Sequence, residues 1–133
     1  MYHLVALLIL SNSYVDSLIY ICTVLSFTTG VTSDEGSKLN PLESILKEFD
    51  EDDFIVLKLD IDSPDIELPL AKQILEDKDG IYGKLIDQFY FEHHVKMAEM
   101  RGFWRKDTQG TVKDTLDLFY GLREKGIPAH FWV

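Results

Sequence analysis

The sequence lacks the features that identify several classes of protein. It contains a single cysteine, Cys22, so an internal disulfide framework and a metal site built from several cysteines are excluded. Lysine and arginine together number 13, against 23 aspartate and glutamate residues, and the formal net charge is -10. Such a field repels a phosphodiester backbone, so we expect no nucleic-acid partner. No G-x-G pattern occurs either, although a glycine-rich loop of this kind cradles the phosphates in dinucleotide-binding domains.

Long apolar runs are also missing from the amino-terminal part. Residues 4–10 are apolar and residues 18–27 are nearly so, but polar residues that include Asp16 separate them. Neither run approaches the roughly 20 residues that cross a bilayer. No lysine or arginine precedes them, as a secretory signal would require. We interpret residues 1–32 as an apolar segment that supplies sheet strands in a cytoplasmic protein. The alternatives are membrane association through residues 4–27 and a cleaved signal.

The rest of the chain has enough apolar residues for a core, since 46% of the sequence is hydrophobic. Residues 54–59 form a nearly continuous apolar run, which is typical of a central parallel strand buried on both faces. A second run of strand formers covers residues 85–92, and a final strand is predicted over residues 128–133. We expect the first of these to be an inner strand and the second to be its neighbour.

Helix signals separate the predicted strands. Asn40-Pro41 is an N-cap followed by a proline at the first helical position, and Ser63-Pro64 opens the next helix in the same way. Pro69 predicts a kink in that helix or a delayed start near Leu68. The last helix begins after Thr111 and ends at Gly126, and its predicted core face consists of Val112, Leu116, Phe119 and Tyr120.

The resulting order from residue 54 is β-α-β-α-β. Strands separated by helices imply right-handed crossovers and parallel pairing. The sequence therefore predicts an α/β fold, Rossmann-like, with a mainly parallel sheet, flanking helices and a three-layer or incomplete three-layer architecture over residues 33–133.

Polar residues follow two of the predicted strands at their carboxyl ends, where open α/β sheets bind ligands. Asp60 and Asp62 follow the first strand, and Glu92, His93 and His94 follow the second. Three interpretations of the aspartates remain open: caps of the next helix, contacts to a substrate or cofactor, and an Asp-x-Asp pair that binds a divalent metal. Adjacent strand residues point to opposite sides, so both histidines face one pocket only if the chain turns between them.

The segments Leu57-Lys58-Leu59-Asp60-Ile61-Asp62, Phe91-Glu92-His93-His94 and residues 122–133 resemble the carboxyl-terminal half of the FkbM-like methyltransferases. The resemblance covers residues 20–133 and implies S-adenosyl-L-methionine as cofactor and a small molecule or sugar as substrate. It implies catalytic roles for Asp60, Glu92 and His93 and cofactor contacts for Asp62 and His94. The family's Glu-Gly is here Asp62-Ser63, and its glycine-rich loop has no counterpart. The resemblance thus implies a truncated or diverged domain with weak or no independent activity.

Two other functions remain open. Asp60 and Asp62 suit a metal-dependent transferase that holds a divalent cation, because hard oxygen donors bind magnesium and manganese. A non-catalytic scaffold or interaction subunit, which keeps the half-fold only for binding, is the third hypothesis.

The apolar amino-terminal runs generate a prediction about association. Exposing one such run forfeits about 1.5–3 kcal/mol for each side chain left unburied. We therefore expect self-association, a partner chain or a membrane surface to cover this segment. Light scattering of the purified, detergent-free protein should reveal an oligomer. A monodisperse monomer that binds no hydrophobic dye would contradict this prediction.

Overall fold

The computed structural model describes residues 7–11, 18–21, 31–61, 63–95 and 110–132. The elements within these ranges are, in chain order, β1 (Leu7–Ser11), β2 (Leu18–Ile21), α1 (Pro41–Glu48), β3 (Asp53–Leu59), α2 (Pro64–Glu76), α3 (Ile81–Leu85), β4 (Ile86–Phe91), α4 (Val112–Glu124) and β5 (Ala129–Phe131). No helix in this part of the chain has the length and hydrophobicity to cross a membrane.

The strands form one sheet in the spatial order β2-β1-β3-β4-β5. Strands β3, β4 and β5 are parallel, and β3 is an inner strand next to β4, as the sequence predicts. Strand β1 pairs antiparallel with both β2 and β3, so the sheet is mixed. The fold is thus α/β with a three-stranded parallel sheet and flanking helices, to which the two amino-terminal strands add an antiparallel edge.

One face of the sheet carries the hydrophobic core. Alternate residues of β3 point to this face and are buried, namely Ile55, Leu57 and Leu59. They share one cluster with side chains from all four helices and from β4, including Leu42, Ile45, Leu70, Ile74, Leu85, Phe89, Phe91, Phe119 and Leu122. Both parallel crossovers run in the same direction across the sheet, so their helices lie on the same side.

The opposite face of the sheet is only partly buried and mostly polar or aromatic. Its side chains alternate with the buried ones, and Lys58, Tyr90 and His130 occupy one register row across β3, β4 and β5. The His130 ring stacks on Tyr90 with 4.9 Å between ring centroids. No helix within the described ranges covers this second face, so the predicted third layer is not found there.

Helices α1 and α4 begin where the sequence predicts, for local reasons. The Asn40 side chain accepts a hydrogen bond from the Leu42 amide at 2.9 Å and caps α1. Thr111 and Asp114 form a reciprocal capping box at the start of α4. Gly126 follows α4 with a φ of 85°, the left-handed conformation in which glycine is least strained.

Two details of the predicted helices are wrong. Helix α2 does not start near Leu68, because the Ser63 carbonyl accepts hydrogen bonds from the amides of Ile66 and Glu67 and the helix starts at Pro64. Pro69 lies inside this helix, and the other alternative, a kink there, stays a prediction. In α4, Phe119 is buried, but Val112, Leu116 and Tyr120 are 53%, 54% and 66% exposed.

The orientation of α4 is set by its contact with α2. A Cβ atom built on Gly121 would lie 2.8 Å from Leu75 Cδ1, so the two helices approach closely at this glycine. This contact directs four side chains of α4 toward the core, namely those of Thr115, Leu118, Phe119 and Leu122. The other three residues of the predicted core face therefore remain exposed.

The side chain of Arg123 covers part of the outer edge of β5. Its Nε and Nη2 atoms donate to the Ala129 carbonyl at 2.9 and 2.6 Å. Phe131, on the same strand, packs against Phe119 with 4.1 Å between ring centroids. The last helix and the last strand are therefore joined by both polar and aromatic contacts.

Asn40 generates a prediction about stability. It is buried, and beyond its capping bond its Nδ2 donates to the Asp34 carbonyl and to Gln73 Oε1 on α2, at 3.3 and 3.0 Å. We expect Asn40→Ala to lower the free energy of unfolding by about 2–3 kcal/mol, through the lost cap and the unpaired buried acceptors.

Asn40→Ser keeps a capping oxygen and removes the amide donor without adding a charge, so urea denaturation should place it between the wild type and Asn40→Ala. Equal stability of the wild type and Asn40→Ala would contradict the assigned role.

Candidate functional site

The carboxyl ends of β3, β4 and β5 form the edge of the sheet that carries most of the predicted site residues. The register pairs Leu59 with Phe91 and Phe91 with Phe131. The next residue of each strand is therefore at an equivalent position on the second face. These residues are Asp60, Glu92 and Trp132. The Glu92 amide donates to the Leu59 carbonyl at 3.3 Å, which extends the pairing past the end of β4.

Asp60 is ion-paired within the chain. Its Oδ2 atom lies 2.7 Å from Lys58 Nζ, and both side chains are largely shielded from solvent. The same ammonium lies 4.2 Å from the centroid of the Trp132 ring, a cation-π contact. Trp132 is 41% exposed and takes part in this charged cluster.

Glu92 and His94 come together at the end of β4. Their Oε2 and Nε2 atoms are 3.8 Å apart, and the imidazole of His94 is buried while Glu92 is partly exposed. His94 thus lies beside Glu92 at the end of β4.

Glu67 is a buried carboxylate in this region that sequence reasoning missed. It is 1% exposed, and its Oε1 accepts a hydrogen bond from the Ile61 amide at 2.6 Å. The bond ties the first turn of α2 to the segment that follows β3. Its spacing from Leu70 and Ile74 places it on the core stripe of α2, and a charged residue at such a position is the signal that could have identified it.

Of the predicted metal-binding pair, Asp60 is described, whereas Asp62 lies outside the described residues. Among the residues that are described, no group of three or more histidine, cysteine, aspartate or glutamate side chains is arranged to hold a metal ion. Lys58 also competes with any cation for Asp60, since it already neutralises that carboxylate.

His93 points to the core side of the sheet, away from Glu92. Its ring stacks on Phe91, with centroids 5.4 Å apart, and its Nδ1 atom lies 2.9 Å from Thr115 Oγ1. Burial lowers the pKa of His93, and the neighbouring His94 lowers it further. Its Nε2 atom is buried and has no hydrogen-bond partner among the described residues.

The His93 side chain also lines a cavity of about 440 Å³ between α2 and α4. The other lining residues are Leu68, Lys72, Leu75, Glu76, Gly110, Asp114, Asp117 and Leu118. Sequence reasoning did not find this cavity, because it depends on which two helices become neighbours.

The candidate residues are thus divided between two places. Asp60 and Glu92, with His94 behind it, lie at the edge of the second face, and His93 lies on the helix side in the cavity wall. The alternation of side chains along β4 is the physical cause, since it sends consecutive residues to opposite faces.

The lowered pKa of His93 makes stability depend on pH. The unfolded chain takes up a proton near the ordinary histidine pKa of about 6.5, whereas folded His93 resists protonation, so the free energy of unfolding should fall as the pH drops from about 7.5 to about 5. The charged groups near it are Lys72 and Glu76 on α2, Asp114 and Asp117 on α4, and His94. Asp114 opposes the shift but does not cancel it.

Urea denaturation across this range should show a smaller loss of stability for His93→Gln than for the wild type. The same slope in the wild type and His93→Gln would show that His93 is not the group responsible.

No protein-family model, curated protein or solved structure matches this chain.

Proposed function

We propose that this chain is a methyltransferase-like domain that binds S-adenosyl-L-methionine at the carboxyl edge of β3 and β4. The observation that carries the proposal is the register of the two parallel strands, which places Asp60 and Glu92 side by side at their ends. Ligands of open α/β sheets bind at this edge.

The order of the elements supports a nucleoside ligand. In a mononucleotide-binding β-α-β unit, the first strand leads directly into a helix and an acid near the end of the next strand accepts hydrogen bonds from the ribose hydroxyls. Here β3 leads into α2, and Glu92 follows β4, the adjacent parallel strand. Glu92 is the residue we assign to the ribose, and the His94 ring lies beside it.

The charge of the edge supports a nucleoside without phosphates. The edge carries two carboxylates, those of Asp60 and Glu92, and one ammonium, that of Lys58, which is paired with Asp60. The chain as a whole is acidic. Such a surface repels a diphosphate, and the sequence has no glycine-rich loop to bind one. S-adenosyl-L-methionine has no phosphate and carries a sulfonium cation, so an edge with two carboxylates fits it. When bound, it supplies an electrophilic methyl group.

The separation of the catalytic candidates supports low activity. Asp60 and Glu92 lie on the second face, whereas His93 lies on the helix side. A base placed across the sheet from the cofactor edge cannot reach the same reacting atoms. We therefore expect binding of the cofactor with weak or no turnover.

Isothermal titration calorimetry with S-adenosyl-L-methionine tests the proposal. We expect binding to the wild type, and an affinity about 10- to 100-fold lower for Glu92→Gln, because a hydrogen bond to a charged group contributes about 1.5–3 kcal/mol. Asp60→Ala should also weaken binding. Glu48→Gln makes the same charge change as Glu92→Gln at an exposed position of α1 and should bind as the wild type does.

Two other results would replace the proposal. Binding of a nucleotide sugar only in the presence of manganese, and its loss in Asp60→Ala, would favour the metal-dependent transferase. Silence with both ligands would favour a non-catalytic interaction subunit.

A further inference from the structure

The connection between α2 and α3 contains the only Asp-Gly pair of the sequence, Asp79-Gly80. In such a pair the glycine nitrogen can attack the carboxyl carbon of the aspartate, because glycine has no Cβ atom to obstruct the close approach. The product is a five-membered succinimide ring. In a folded protein the reaction depends on how firmly hydrogen bonds hold the carboxyl group and the attacking amide.

The structure leaves both reacting groups of this pair unengaged. Asp79 is exposed, and its carboxylate has no hydrogen-bond or ion-pair partner among the residues that the structure describes. The amide of Gly80 likewise has no acceptor within the described ranges. Gly80 has a φ of 67° and precedes α3, so its nitrogen takes no part in the hydrogen bonds of a helix. The fold therefore does not protect this pair.

Asp77, two residues earlier, is held in the opposite way. Its Oδ1 atom accepts from the Asp79 amide at 3.0 Å, and its Oδ2 atom accepts from the Tyr82 amide at 2.9 Å. Both carboxylate oxygens are thus occupied, and the next residue, Lys78, has a Cβ atom. The two bonds fix the connection on either side of Gly80 without engaging the Asp79 side chain, so of these two acids only Asp79 is poised to react.

We propose that Asp79 is a site of spontaneous isomerisation to isoaspartate in the folded protein. In the first step the Gly80 nitrogen bonds to Cγ of Asp79, and the amide proton leaves with the carboxyl hydroxyl as one molecule of water. In the second step one molecule of water opens the ring between the Gly80 nitrogen and the original main-chain carbonyl carbon. The backbone then runs through Cβ and Cγ of residue 79, and the former carbonyl becomes a carboxylate. Mass and charge are unchanged.

The altered connection is one carbon atom longer at a place with little spare room. A Cβ atom built on Gly83 of α3 would lie 2.6 Å from the carbonyl oxygen of Lys125, and Lys125 Nζ donates to the Asp77 carbonyl at 2.6 Å. Both contacts join this part of the chain to the end of α4. We therefore expect isoaspartate at position 79 to disturb them and to lower the urea concentration at which the protein unfolds.

Prolonged incubation of the folded protein, followed by digestion with a protease that cleaves before aspartate, tests the proposal. Such a protease does not cleave before isoaspartate. We expect cleavage before Asp79 to fall with time while cleavage before Asp77 persists. The folded protein should form the isomer no more than a few-fold more slowly than the chain held unfolded in urea. An isomer that forms in the unfolded chain and not in the folded protein would overturn the inference, as would equal loss of cleavage before Asp77.

Two variants make the same substitution at different exposed acids. Asp79→Glu keeps the charge, but its longer side chain would have to close a six-membered ring, so chromatography of its peptides should show no isomer at this position. Asp52→Glu leaves the Asp-Gly pair intact and should isomerise as the wild type does. An isomer peak of wild-type size in Asp79→Glu would assign the reaction to another residue and overturn the proposal. Urea denaturation of aged samples should show a lower midpoint for the wild type than for Asp79→Glu, and equal midpoints despite the isomer would contradict the expected disturbance of α3.

Discussion

The alternation of side chains along β3 is the constraint on which the rest of the structure depends. Ile55, Leu57 and Leu59 are almost inaccessible to solvent and form the centre of the core, while the residues between them face the other way. Neighbouring strands on both sides hold the register. A slip of one residue would bury the Lys58–Asp60 ion pair and expose all three apolar side chains, so this arrangement is strongly preferred.

The same alternation gives the two faces of the sheet different chemistry. One face receives the helices and, at the carboxyl end of β4, carries the imidazole of His93, which lines the cavity between α2 and α4. The other face carries a charged and aromatic cluster in which Lys58 contacts both Asp60 and Trp132. Residues adjacent in sequence therefore belong to separate environments. Glu92 and His93 are consecutive in the chain, yet their side chains lie on opposite faces of the sheet.

Local signals explain what could be predicted from the sequence. Asn40, Thr111 and Gly126 act on their own helix ends, and the apolar runs of β3 and β4 identify adjacent strands. The role of Glu67 and the core face of α4 depend on contacts between elements, and no local pattern specifies these. The cavity is a further step removed, because residues of α2, of α4 and of the segment after β4 line it together. The antiparallel direction of β1 likewise depends on a pairing that hydrophobicity does not encode.

Arg123 has a consequence for the behaviour of the sheet in a crowded solution. An edge strand offers backbone groups to any extended chain that meets it, and this is a common route to fibril growth. Here the guanidinium occupies the Ala129 carbonyl, and a positive charge stands in the path of an incoming backbone. A foreign strand would have to displace two hydrogen bonds before it could pair with this carbonyl. The β5 end of the sheet is thus guarded against templated polymerisation by a side chain from the preceding helix.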